Sequence, residues 1–112
     1  MLDTKTEWKL EEYKVYLFFY CADADFKIKW QEEEFISNYA EAKVVNRIRE
    51  AFYKDGEYAR TQKIREGAEQ FQFTAEEQGV LMSEILDLFL CDDDFHRWEK
   101  KLMVAVHELI RP

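Results

Sequence analysis

The stretch that decides the fold is EEYKVYLFFYCA, residues 11–22, because its polar positions disappear along one segment. Apolar residues recur there and just before it at spacings of three and four, at Leu10, Tyr13, Leu17 and Tyr20. This is the period of an α-helix. From Val15 to Ala22 every residue is apolar, so the helix predicted over residues 6–22 should be buried on all sides at its second half and lie at the centre.

Five more helices are predicted along the chain. They cover residues 30–39, 42–55, 57–71, 75–91 and 97–110. A capping box, Thr74 with Glu77 three residues later, marks the start of the fifth helix, and this helix is also apolar nearly all round at its end. Three glycines and one proline leave little for the tight turns of sheets. The sequence therefore predicts an all-α bundle of about six helices, with the first and fifth in the middle.

Composition bounds the class of protein. A chain of 112 residues that is 47% hydrophobic suits one folded domain over residues 1–112 and excludes a disordered chain. The longest apolar run is far shorter than the roughly 20 residues that cross a bilayer, and the charged start is not a signal peptide. A soluble, cytoplasmic protein without membrane insertion is expected, with Cys21 and Cys91 as buried apolar residues.

Charge is unevenly distributed along the chain. The net charge is −8, yet residues 43–65 contain seven basic and three acidic side chains, so the remainder carries −12. The acidic parts disfavour nucleic acid and favour cations or a basic protein partner, whose identity the sequence does not give. Two interpretations of the basic segment stay open: ion pairs with the chain's own acids, or an anion- or partner-binding surface that uses Arg47, Arg60 and Lys63.

An acidic pattern occurs twice, each time where an apolar helix ends and another begins. Its first copy is Asp25, Ile28 and Glu32, and its second is Asp92, Phe95 and Glu99. An aspartate in the loop and a glutamate in the next first turn can direct oxygen atoms at one point, as calcium and magnesium require. The loops are not EF-hands, because Phe26 stands where an EF-hand needs glycine.

This pattern resembles that of TerB-like domains, a family named for a bacterial tellurite-resistance protein. Asp25, Ile28 and Glu32 match one copy of the family's short motif, and Asp92, Phe95 and Glu99 match the other. The motif's glycine is replaced by Phe26 and Asp93. The resemblance implies two related helix-loop-helix units, a non-catalytic role in tellurite or stress resistance of bacteria, and a divalent cation, calcium or magnesium, at Asp25, Glu32, Asp92 and Glu99.

Other interpretations of the acidic pairs stay open. The aspartates and glutamates can instead cap helices and complement helix dipoles. They can also gather two metal ions in a hydrolase-like enzyme, provided that both pairs converge on one pocket. His96 joins such a site if the metal is zinc. No phosphate loop, nucleophile elbow or HExxH motif occurs in the sequence, so a non-catalytic binding or regulatory domain is the predicted function.

Overall fold

The computed structural model describes residues 8–25, 29–90 and 97–111, and all its regular structure there is helical. The helices are α1 (Leu10–Ala22), α2 (Trp30–Tyr39), α3 (Ala42–Lys54), α4 (Glu57–Phe71), α5 (Ala75–Leu90) and α6 (Arg97–Ile110). A 3-10 helix, Asp23–Asp25, follows α1. The predicted all-α bundle of six helices is confirmed. None of the helices in the described ranges is long and apolar enough to cross a membrane.

Helix α1 is the centre of the bundle, as predicted. Its buried side chains point to all sides of the helix: Tyr13, Val15, Tyr16, Leu17, Phe18, Phe19, Cys21 and Ala22. Helices α2, α3, α4 and α5 all contact it. The helix begins at Leu10, four residues later than predicted. Trp8 and Lys9, which precede it, lie in extended or irregular backbone. The apolar run from Val15 onward is thus buried all round.

Helix α5 is a peripheral helix, and the prediction that it shares the middle with α1 is wrong. Its buried residues form one stripe with helical spacing, Leu81, Ile85, Leu88 and Phe89. On its other side Val80 is 54% and Leu90 46% exposed. The helix carries more apolar residues than its neighbours α1, α2 and α6 cover.

Helices α1 and α4 approach closely at Gly67, which is buried in the middle of α4. A Cβ atom there would overlap the ring of Tyr13. The Tyr13 hydroxyl donates a hydrogen bond of 2.8 Å to the backbone carbonyl of Ile64, one turn earlier in α4. Just before α1, the backbone N–H of Trp8 donates to Gln70 Oε1 (2.9 Å), and Gln70 Nε2 donates back to the Trp8 carbonyl (2.7 Å). These contacts fix α4 against α1.

Helices α1 and α5 are each capped by a glutamate in their own first turn. Glu77 Oε1 accepts the backbone N–H of Thr74 at 2.9 Å, and Thr74 Oγ1 accepts that of Glu77 at 3.1 Å. This is the predicted capping box. At α1, Glu12 Oε1 accepts the backbone N–H of Lys9 at 3.1 Å, which is the same reach back from the first turn. Each carboxylate satisfies a donor that the helix itself leaves unpaired.

Candidate functional site

The first acidic copy lies where α1 gives way to α2. Asp25 ends the 3-10 helix, and Glu32 stands in the first turn of α2 with only 6% of its surface exposed. Glu32 Oε1 accepts the backbone N–H of Lys29 at 3.1 Å, so the carboxylate caps α2. Burial raises the pKa of the fully buried Cys21 thiol, and the nearby charge of Glu32 raises that pKa further. Glu32 is thus part of the folded helix start, and Cys21 is buried as predicted.

Asp92 and Phe95 of the second acidic copy lie outside the described residues, as do Ile28 of the first copy, Cys91 and His96. Of Glu99 only the backbone is described, in α6. Within the described ranges, no three His, Cys, Asp or Glu side chains are grouped so that they could hold a metal ion. The cation site at Asp25, Glu32, Asp92 and Glu99 stays a prediction, as do the two pseudo-repeated units.

Arginines of the basic segment pair with acids elsewhere in the chain. Arg47 binds Glu12 at the start of α1, and Arg49 binds Glu33 in α2. Because each pair joins two helices, the charges help to hold α3 against α1 and α2. The segment therefore partners the chain's own acidic parts at these positions, which is the first of its two predicted interpretations.

Arg60 is enclosed by contacts at the end of α1. Its guanidinium donates to Asp23 Oδ2 and to the backbone carbonyl of Phe52, each at 3.1 Å, and lies 3.8 Å from the centre of the Phe52 ring. The side chain is 15% exposed. A cavity of about 490 Å³ adjoins it, lined also by Tyr20 and Leu102. The acid, the carbonyl and the ring together hold the Arg60 guanidinium in place.

Lys63 also has an acidic partner of its own, and the anion- or partner-binding surface of Arg47, Arg60 and Lys63 stays a prediction. Lys63 Nζ lies 2.7 Å from Asp55 Oδ2, which also accepts the Tyr16 hydroxyl at 2.6 Å. Burial raises the pKa of Tyr16, and the hydrogen bond to Asp55 raises it further. Arg47, Arg60 and Lys63 thus each face a different carboxylate.

An open groove on α2 is the site that sequence reasoning missed. It has a volume of about 460 Å³, and the described residues that line it are Trp30, Gln31, Glu34, Phe35, Asn38 and Tyr39. Trp30 is 70% exposed. These residues form two adjacent rows with a spacing of four, which the sequence shows, but whether another helix covers the rows depends on tertiary packing.

The floor of this α2 groove is fixed by contacts with α1 and α5. The rings of Phe35 and Tyr39 meet Phe18 edge to face, with centroids 5.6 and 4.8 Å away. The Tyr39 hydroxyl donates to Glu84 Oε2 at 2.7 Å, and Lys14 Nζ lies 2.8 Å from Glu84 Oε1. Burial, and then the hydrogen bond to Glu84, raises the pKa of Tyr39. The groove is therefore formed before any ligand arrives.

Comparisons of the chain with protein-family models, curated proteins and solved structures find no match. The resemblance to TerB-like domains consequently rests on the two short acidic copies and on helix order.

Proposed function

We propose that this chain is a non-catalytic binding domain that recognises a basic protein partner through its acidic surface. The observation that carries the proposal is the internal use of positive charge: Arg47, Arg49 and Arg60 all pair with acids of other helices. Together with the pair of Lys63 and Asp55, those pairs engage four of the seven basic side chains of residues 43–65 within the fold. The chain as a whole carries a net charge of −8, so its acidic side chains outnumber its basic ones.

The exposed side chains support this proposal. Among the residues that the structure describes, ten exposed side chains are acidic and seven are basic. Two of the exposed basic residues, Arg47 and Arg111, are already paired with Glu12 and Glu108. A surface of this kind attracts a basic partner over a distance and repels an acidic one, which gives both speed and selectivity of association.

The TerB resemblance extends the proposal to a biological setting. In that setting the domain works in the cytoplasm of a bacterium, in tellurite or stress resistance, through contacts with a protein partner. A divalent cation at Asp25, Glu32, Asp92 and Glu99 would tune the contacts by reducing the negative charge. The competing two-metal enzyme needs both acidic pairs in one pocket, and it stays a prediction because Asp92 and the Glu99 side chain lie outside the described residues.

A pair of designed peptides tests the partner class. One is an 18-residue amphipathic helix of leucine, alanine and arginine, and the other replaces every arginine with glutamate. We expect calorimetry to show binding of the arginine peptide only, weakening steeply as salt rises from 50 to 300 mM because exposed charges are screened. Equal binding of both peptides, or of neither, would refute the proposal.

Thermal unfolding with calcium, magnesium, manganese or zinc tests the cation. A bound ion at 100 times its dissociation constant stabilises the fold by about 2.7 kcal/mol. If the site exists, Asp25→Asn combined with Glu32→Gln should remove part of this gain, and Asp92→Asn combined with Glu99→Gln the rest. Unfolding that no cation shifts would limit these carboxylates to capping.

A further inference from the structure

The rim of the α2 groove combines an aromatic face with a carboxylate. Trp30 and Glu34 are four residues apart on one helix, so their side chains are neighbours on its surface. Both are exposed. Among the described residues that line the groove, none is basic, and Glu34 is the charged one. The described lining therefore places one carboxylate next to an indole ring.

Helix α2 is held in place on the sides that do not face solvent. Phe35 and Tyr39 pack on Phe18 of α1, while Glu33 pairs with Arg49 of α3. A ligand at the rim would therefore meet side chains whose helix does not need to move. Such preorganisation lowers the entropic cost of binding.

An arginine side chain matches this rim better than other groups. Its planar guanidinium stacks on an indole face and is attracted by the ring's electrons. Its fork of N–H donors can at the same time bind a carboxylate with two hydrogen bonds. A lysine ammonium has the charge but lacks the planar fork, and an acidic group would be repelled by Glu34.

We propose that the α2 groove binds an arginine of the basic partner, with the guanidinium between Trp30 and Glu34. This inference rests on the proposed function, of which it names the contact site. The volume of about 460 Å³ leaves room for an adjacent apolar side chain of the partner over Phe35 and Tyr39. The site thus reads a basic segment in which an arginine and an apolar residue lie next to each other.

Matched variants test the site with the arginine peptide described above. Trp30→Ala and Glu34→Gln should each weaken its binding by about tenfold, as expected for a lost cation–π contact and a lost charged hydrogen bond. Tyr58→Ala and Glu69→Gln are the controls, because they remove another exposed aromatic residue and another exposed acid, both on α4. The controls should change the affinity less than twofold. A peptide with lysine in place of arginine should bind more weakly than the arginine peptide.

A small probe separates this inference from the proposed function. Acetyl-arginine amide should shift the NMR signal of the Trp30 indole N–H, and acetyl-glutamate amide should not. If the arginine peptide binds the parent and Trp30→Ala with equal affinity, the α2 groove is not the arginine site, while the proposed function stands. If the arginine peptide does not bind but acetyl-arginine amide shifts the Trp30 signal, the proposed function is wrong, while the α2 groove remains an arginine site. If neither binds, both are overturned.

Discussion

Helices α1 and α5 have similar apolar ends in the sequence and different places in the fold. The run VYLFFYCA of α1 is buried almost throughout, whereas in EILDLFL of α5 the buried residues form one face. The difference comes from the neighbours. Helices α2, α3, α4 and α5 surround α1, while α5 has α1, α2 and α6 against one side and solvent on the other.

This difference shows what an apolar run can and cannot predict. Burial removes apolar surface from water and is favourable wherever a neighbour covers that surface. A run of apolar residues therefore indicates that a helix can lie at the centre of the bundle. Whether the helix does lie there depends on how many other helices are available to cover it. Val80 and Leu90 of α5 remain exposed because the chain has no further helix in the described part to place over them.

The largest difference in stability is expected between two alanine substitutions, one in α1 and one in α5. Phe18→Ala should lower the free energy of unfolding by about 3 to 5 kcal/mol, because it removes a fully buried ring and leaves a cavity beneath Phe35 and Tyr39. Val80→Ala should change it by less than about 0.5 kcal/mol, because Val80 is 54% exposed. Urea unfolding measures both. A loss above 1 kcal/mol for Val80→Ala would mean that the outer side of α5 is covered in solution.

Two glycines in helix interiors should give stability changes of opposite sign when they are replaced by alanine, because one packs against α1 and the other is exposed on α5. Gly67→Ala should destabilise the protein by about 1 to 3 kcal/mol, because the new methyl group overlaps the Tyr13 ring of α1. Gly79→Ala should stabilise it by about 0.5 to 1 kcal/mol, because Gly79 of α5 has open space around it and alanine favours the helix. Thermal unfolding reads out both variants. A Gly67→Ala variant as stable as the parent or more stable would contradict the placement of α4 against α1, and a destabilising Gly79→Ala would contradict the open space at Gly79.

Alkaline pH should destabilise the protein through buried tyrosines such as Tyr13 of α1, whereas α5 contains no tyrosine of its own. Burial, and to a lesser extent the charge of Cys21, raises the pKa of Tyr13 above its ordinary value of about 10. The folded chain therefore keeps this proton while the unfolded chain loses it. Stability should be complete below pH 10 and fall above it, by no more than about 1.4 kcal/mol per pH unit for this group.

Tyr13→Phe isolates that contribution. The variant should be less stable than the parent at pH 8, because it loses the hydrogen bond to Ile64, and the gap should narrow as the pH rises from 10 to 11. Urea unfolding at pH 8, 10 and 11 follows the gap, with Tyr58→Phe on the exposed side of α4 as the control. A gap that stays constant would show that Tyr13 is not protected from ionisation.

Helix positions could be predicted from the sequence because local signals determine them. The capping box at Thr74 and the periodic apolar residues placed most helix ends within one residue of the structure. Burial of α5 and the α2 groove could not be predicted, because both depend on which helices meet. The ion pair between Arg60 and Asp23 spans 37 residues, and no local pattern specifies such a partner.

The smallest expected effect compares the caps of the two helices. Glu12 and Glu77 each accept a backbone N–H at the start of their helix, but Glu12 also binds Arg47. Glu77→Ala should cost about 0.5 kcal/mol and Glu12→Ala about 1 kcal/mol, the excess being the ion pair. Because the Arg47 side chain is 57% exposed, that excess should fall when salt is raised from 50 to 500 mM.

A double-mutant cycle of Glu12→Ala with Arg47→Ala tests the source of this excess. We expect a coupling of about 0.2 to 1 kcal/mol at low salt, measured by urea unfolding, and less at high salt. Glu77 provides the reference, since Glu77→Ala combined with Arg47→Ala should be additive. Zero coupling between Glu12 and Arg47 at low salt would mean that this ion pair does not hold α3 against α1. The Arg47 charge would then be free to offset the acidic surface that the proposed partner needs.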